Sequence, residues 1–466
     1  GRSENCGLFG SCPAETAYID FFTIFIVRIK HFTTRTIMKK QLLTAAILCC
    51  LVIAGSTAAP KSAKKKPKIP VSRVQTHMDG YLGDRIDACI RVRVCSEDPD
   101  LLVAPMRRQT ETSLWQSEFW GKWTLGAIAS YRYNKDPELL RKIEGGVESL
   151  LASQQPDGYI GNYAPEAQLT NWDVWGRKYT MLGLLAYYDL TGDKKALDGA
   201  VRLADHLLTQ IPAVRQIERT GIYRGMSSCS ILEPIMLLYN RTLDEKYLDF
   251  ARYIVDRMES ADGPQLIAKA LDGVPVSERF PLDDPSRGWF VWENGQKAYE
   301  MMSCYDGLLE LYKVTNDPRY LKAVEATVTS IIADEINIAG SGSSFECFYK
   351  GKALQTEPAY HTMETCVTMT WMKLCYDLLR LTRNPLYADQ IERSAYNALA
   401  ASMKEDASQI AKYSPLEGAR SAGEEQCGMH VNCCNMNGPR AFALLPEAAV
   451  TDYGDELFVN LYGPMS

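Results

Sequence analysis

Trp175-Gly-Arg-Lys-Tyr-Thr-Met-Leu-Gly-Leu-Leu-Ala-Tyr-Tyr-Asp-Leu-Thr-Gly-Asp193 decides the fold. It is an apolar helix that runs to a tyrosine pair and a leucine, then stops at a polar tripeptide whose acid is a preferred cap for a following helix. The same phrase recurs at Asn134-Lys-Asp136, Thr242-Leu-Asp244, Thr315-Asn-Asp317 and Thr382-Arg-Asn384, at intervals of about fifty to seventy residues. Each occurrence reads as a helical hairpin with the tripeptide as its tight turn. Repeated hairpins of this kind close naturally into a ring of paired helices, an (α/α)6 barrel. An open solenoid is the alternative, and it would show a steadier period. The expected class is all-α dominated.

The 466 residues carry 46% hydrophobic and 23% charged side chains, the profile of a soluble globular protein. A net charge of −6 leaves no basic stripe for phosphates and argues against a nucleic-acid partner. Met38 to Ala59 has the basic start, apolar run and small-residue end of a secretory signal, with Ser56-Thr-Ala58 as a cleavage site. Residues 1–37 read as an upstream extension foreign to the protein, and 60–70 as a basic linker. The expected product is exported, periplasmic or secreted, without an integral membrane span once the signal is removed.

Chemistry concentrates in the second half. Glu364-Thr-Cys366 and Cys433-Cys434 together supply three thiols and one carboxylate, a complete tetrahedral set for a zinc-type ion. Glu364 and Cys366, two apart, should straddle a helix start. Cys433 and Cys434 should sit on a turn, given Asn432, Asn435, Asn437, Gly438 and Pro439 around them. The competing readings are buried structural thiols, or disulfides from Cys433 and Cys434 to Cys427 or Cys366. Cys304 and Cys375 lie in apolar helical contexts and read as core, and Cys347 as structural. Two non-helical stretches are candidates for lining a site at one mouth of the barrel: the Gly-rich loop Asp157–Asn162 and a strand or hairpin within 338–359. Glu456–Tyr462 reads as a strand.

Cys433-Cys-Asn-Met-Asn-Gly-Pro-Arg440, Glu364-Thr-Cys366 and Gly342-Ser-Ser-Phe-Glu346 resemble glycoside hydrolase family 127, the β-L-arabinofuranosidase family and its relatives. Trp175–Gly192, Lys297-Ala-Tyr-Glu-Met-Met302, Tyr413-Ser-Pro-Leu-Glu-Gly418 and Val459-Asn-Leu-Tyr-Gly-Pro464 are similar to the same family. The resemblance runs from about Val71 onward and is densest in the second half. It implies an (α/α)6-barrel catalytic domain over 71–450, with 451–466 as the first strand of a truncated β-sandwich. It also implies Zn2+ held by Glu364, Cys366, Cys433 and Cys434, with Cys433 as nucleophile and Glu346 as general acid/base of a retaining glycosidase. A carboxyl beside an anionic thiolate cluster should have a raised pKa, which suits an acid.

Lys178, Tyr179, Lys297 and Glu300 fall on matched helix starts and are candidate sugar contacts. The chain departs from the family where histidines surround the sugar. Only five His are present, Tyr179 and Lys297 replace two of them, and Trp172-Asp-Val-Trp175 replaces a His-Glu-Leu-Tyr stretch. His361 and His430 lie near the metal motifs, and each reads equally as a supporting or structural residue or as a catalytic one. The implied partner is an oligosaccharide or glycan, with a β-L-arabinofuranoside or related plant-glycan sugar as substrate. Two other readings stand beside it: a metal-independent, uronoside-cleaving helical barrel, and a non-catalytic carbohydrate-binding protein with structural zinc.

Overall fold

A computed structural model describes residues 74–280, 296–357, 361–423 and 425–466. The proposed extension, signal and linker over 1–70 lie outside the described residues. Among these residues, twelve helices make the frame: α1 (Gly80–Cys89), α2 (Ser117–Asn134), α3 (Pro137–Ala152), α4 (Asp173–Thr191), α5 (Lys194–Gln210), α6 (Leu232–Thr242), α7 (Glu245–Met258), α8 (Ala298–Thr315), α9 (Pro318–Ser330), α10 (Thr365–Thr382), α11 (Pro385–Ser394) and α12 (Cys433–Ala449). Helices α2, α4, α6, α8, α10 and α12 pack each on the next, and α12 packs back on α2, so the inner ring closes. The odd-numbered helices α3 to α11 form the outer layer, each paired to the inner helix before it.

The recurring tripeptide makes every one of the five turns by the same local chemistry. Each inner helix ends on a left-handed residue: Lys135, Gly192, Leu243, Asn316 or Arg383. The next residue, Asp136, Asp193, Asp244, Asp317 or Asn384, accepts a hydrogen bond from the backbone N–H two residues on and caps the outer helix. The preceding residue closes the unit, a threonine in four of the turns and Asn134 in the first. Thr191 Oγ1 donates to Tyr187 O at 2.9 Å and accepts from Asp193 N at 3.1 Å. Asp193→Ala is expected to cost about 1 kcal/mol of stability with the fold intact, read as a lower urea midpoint at unchanged slope.

The sixth pair has no such turn, because its helices come from distant parts of the chain: α12 is the inner member and α1 packs against it. The junction is tied by backbone bonds between His77 and Ser466, in both directions, and by Asp79 N donating to Pro464 O. Inner helices are buried almost all round. The closest approach is between α2 and α4, where a Cβ on Gly121 would stand 2.3 Å from Tyr179 O; only glycine fits there.

The strand expected at 456–462 is the second half of a hairpin. Strand β1 (Val450–Tyr453) pairs antiparallel with β2 (Glu456–Val459), Val450 opposite Val459. Where a strand or hairpin was expected within 338–359, the described residues to 357 are instead a chain of turns with isolated bridges, Ser344 to Cys347 and Ser344 to Thr362, and a short helix Gly351–Leu354. Among the described residues, no helix is long and apolar enough to cross a membrane.

Candidate active site

The first turns of several inner helices converge on one end of the barrel. Their amide dipoles put partial positive charge there, which favours anionic side chains. Glu364 is the N-cap of α10 and Cys366 its second residue, so the pair straddles the helix start as expected. Cys433 and Cys434 correct the expectation of a free turn: they are the first two residues of α12. Asn432 caps that helix by accepting from Asn435 N at 3.0 Å, and so fixes the two thiols on its rim. At a helix's first residues, side chains can splay around an ion lying off the end of the axis.

The four predicted ligands come together. Glu364 Oε1 lies 3.7 Å from Cys433 Sγ and 3.6 Å from Cys434 Sγ. Cys434 Sγ is 3.4 Å from Cys366 Sγ and 3.9 Å from Cys433 Sγ. All four ligand atoms lie within 4.8 Å of one another. A tetrahedral zinc with the usual bond lengths has S···S edges of about 3.8 Å and S···O edges of about 3.6 Å, so the donor set fits such an ion. Glu364 Oε2 is buried without a hydrogen-bond partner, as a carboxylate awaiting a cation would be. The cysteines among the described residues are free thiols, Cys366, Cys427, Cys433 and Cys434 included, which removes the disulfide reading.

A cavity of about 380 Å³ opens beside the cluster. Cys433 lines it, and Cys366 and Cys434 do not. Cys433 is 8% exposed, and the other two are at 0%. Hydrogen bonds from the Cys366 and Cys434 thiols, with the charges of Lys122 and Lys412, hold the Cys433 thiol well below its ordinary value against the effect of burial. Burial drives Cys366 and Cys434 the other way.

Glu346 also lines the cavity, on a loop where both Phe345 and Glu346 have positive φ. Non-glycine residues held in that region cost energy and cluster at functional sites. Its carboxylate accepts from Lys297 Nζ at 2.6 Å and Tyr413 Oη at 3.0 Å, and Lys412 Nζ lies 3.2 Å away. This corrects the expected raised pKa. Burial would raise it, but Lys297 and Lys412 outweigh burial and hold the carboxyl well below the usual range.

Of the four candidate sugar contacts, Lys297 and Glu300 line the cavity, at the N-cap and first turn of α8. Lys178 and Tyr179 do not. Tyr179 is buried behind the wall with its hydroxyl bonded to that of Tyr299. Lys178 is buried in the α4 interior, where burial lowers its pKa to about 8 and Glu233 and Asp306 oppose that. Neither His361 nor His430 lines the cavity: His361 packs on Tyr413 and Phe345, and His430 bonds Glu97 at 2.7 Å. The loop Asp157–Asn162 supports α4 from outside the cavity, with Tyr159 Oη donating to Asp173 at 2.8 Å.

Residues not among the candidate site residues complete the walls. Trp172 meets Trp115, Trp175 and Tyr223 edge-on at ring distances of 5.7, 5.8 and 6.4 Å. Glu118 accepts from Lys122 Nζ at 2.7 Å and from Trp175 Nε1, and burial pushes its carboxyl up to about 7 against the pull of Lys122. A charged pair four apart in the otherwise apolar run from Ser117 to Trp123 was the available signal. Lys412 had one too, as the residue directly before Tyr413-Ser-Pro.

The sequence profile of the β-L-arabinofuranosidase, GH127 catalytic domain matches residues 75–447. The chain belongs to the GH127 family. A non-reducing end β-L-arabinofuranosidase of Bifidobacterium longum subsp. longum is 22% identical over 322 residues, 64% of this chain and 47% of that protein. This GH127 chain therefore spans about half the length of the curated relative it matches. Two solved structures share the fold. A GH127 β-L-arabinofuranosidase from Geobacillus stearothermophilus T6 aligns at TM-score 0.64 and 22% identity, over 84% of this chain and 68% of that one. A GH127 β-arabinofuranosidase aligns at TM-score 0.62 and 21% identity, over 84% and 64%.

Proposed function

We propose that this GH127 chain is a retaining glycoside hydrolase that uses Cys433 as nucleophile and Glu346 as acid/base, on a β-L-arabinofuranoside or a related plant-glycan sugar. The observation that carries the reading is the selective presentation of one thiol: of three clustered sulfurs, only Cys433 reaches the cavity, and its neighbours favour its thiolate. Glu364, Cys366, Cys433 and Cys434 would hold Zn2+. When bound, the ion would keep the thiols deprotonated and anchored, a supply of thiolate near neutral pH.

The chain's own groups then divide the work. Cys433 Sγ forms a bond to the anomeric carbon as the glycosidic C–O bond breaks, and the leaving oxygen takes a proton from Glu346. A water, deprotonated by Glu346, then displaces Sγ and restores the anomeric configuration. The lysine pairing of Glu346 suits this second step and opposes the first. Lys297→Met removes the nearer cation and is expected to raise the carboxyl's pKa. The acid form then persists to higher pH, and the basic limb of the kcat/KM profile moves upward in pH. An unmoved limb argues against Glu346 as the acid.

Elemental analysis and dialysis against a strong chelator test the metal. The expected result is one zinc per chain, with activity and thermal midpoint lost together on its removal and restored by Zn2+. Trp172, in the aromatic wall of the cavity, offers a flat apolar surface to a sugar face. Trp172→Ala is expected to raise KM roughly tenfold with little change in kcat.

A further inference from the structure

Glu300 lines the cavity from the first turn of α8, is 4% exposed, and leaves Oε2 without a hydrogen-bond partner. Of the two cavity carboxyl groups with such an orphaned oxygen, Glu364 is accounted for by the metal set; among the described residues none meets Glu300 Oε2. Its neighbour Lys297 is turned to Glu346 instead, at 2.6 Å. An unmet acceptor buried in a cavity wall is a position that a ligand donor can fill.

The other charges on the wall narrow what that partner can be. Each cavity lysine is already engaged: Lys122 with Glu118, and Lys297 and Lys412 with Glu346. A ligand carboxylate would have to compete with Glu118 and Glu346 for these lysines, and would face Glu300 and Glu364 as well. A neutral hydroxyl suits Glu300 whether the carboxyl is ionised or not. Burial, reinforced by Glu346 and opposed by Lys297, raises its pKa.

Resting on the glycosidase reading, we infer that Glu300 is a specificity-determining residue that bonds one ring hydroxyl of a neutral sugar, and that the site rejects uronosides. A site built to bond a hydroxyl discriminates strongly against the analogue lacking it, because its own buried group is then left bare.

The test compares wild type, Glu300→Gln and Glu300→Leu against an aryl β-L-arabinofuranoside, its monodeoxy analogues and an aryl uronoside. Binding of the matching methyl glycosides is measured calorimetrically on the same three proteins. Wild type should lose on the order of 10²-fold in kcat/KM or affinity for one deoxy position. Glu300→Leu should abolish that penalty at that position alone, and Glu300→Gln should keep most of it. Wild-type turnover or binding with the same deoxy pattern in Glu300→Leu overturns the assignment of Glu300 and leaves the hydrolase reading standing. Efficient cleavage of the uronoside overturns the neutral-sugar claim. Neither turnover nor binding of any glycoside by wild type overturns both.

Discussion

Cys433→Ala is expected to cut kcat/KM by at least roughly 10³-fold, the scale seen when a covalent nucleophile is removed. The loss should be larger than a general metal defect explains, because Cys433 is the thiol that reaches the cavity. Cys434→Ala and Cys366→Ala serve as controls. Both remove a ligand that lies at 0% exposure, so their activity should follow zinc content, whereas that of Cys433→Ala should stay low at any zinc concentration. Glu346→Gln separates the two chemical steps. It is expected to lower turnover about 10²- to 10⁴-fold, and with an activated aryl leaving group it should let a glycosyl adduct accumulate. Intact-protein and peptide mass analysis should place that adduct on the peptide containing Cys433. An adduct on Glu118 or Glu300, or full activity in Cys433→Ala, contradicts the assignment.

The largest expected effect on stability lies in the barrel interior. Lys373 on α10 reaches Glu233 at 3.0 Å, Asp306 at 3.1 Å and Asp377 at 3.0 Å, from helices α6, α8 and α10 itself. Glu233 and Asp306 are buried, so this ammonium is the chief charge that lets three carboxyls share the interior. Lys373→Met should cost about 3–5 kcal/mol, the penalty for leaving buried charge uncompensated. Calorimetry or urea unfolding reads the loss, and a change under 1 kcal/mol rejects it.

The same cluster predicts a pH dependence. Burial pushes the Asp306 carboxyl up to about 7; Lys373 opposes this, while Glu233 and Asp377 add to it. A carboxyl whose folded pKa exceeds its unfolded value contributes stability that is fully present below the unfolded pKa and lost as pH rises through the folded one. The Asp306 contribution should therefore fall between about pH 4 and 7. Glu233 and Asp377, held low by Lys373 against burial, lose theirs only at more acid pH. Asp306→Asn should flatten stability across the upper window and leave the acid limb in place.

Much of the architecture was legible because its signals are local. Thr191, Gly192 and Asp193 close their turn with bonds spanning four residues or fewer, and the same code repeats at Thr242, Thr315 and Thr382. The sixth pair escaped for the opposite reason: α1 and α12 share no turn. The ligand set was legible because thiols and a carboxylate are a distinctive donor combination, yet the backbone under Cys433 was misread. Asn432 is as good a helix cap as a turn residue, and here the cap won. The charge state of Glu346 was hidden, since it depends on Lys412, 66 positions on and outside every quoted motif. Lys178 and Tyr179 sat at a matched helix start, but a helix start names a rim and says nothing of which side chains face inward.

The split sixth pair has a consequence for how a newly made chain acquires its chemistry. Glu364 and Cys366 are synthesised with α10, but Cys433 and Cys434 arrive only with α12, whose docking onto α2, α10 and α1 locks the circle. Until then a growing polypeptide carries an unfinished horseshoe with an exposed seam and half a ligand shell. Ring closure and assembly of the thiol cluster are thus one event, limited by contacts of long sequence separation. The Cys433 sulfur is not gathered with its partners before there is a walled chamber to contain it.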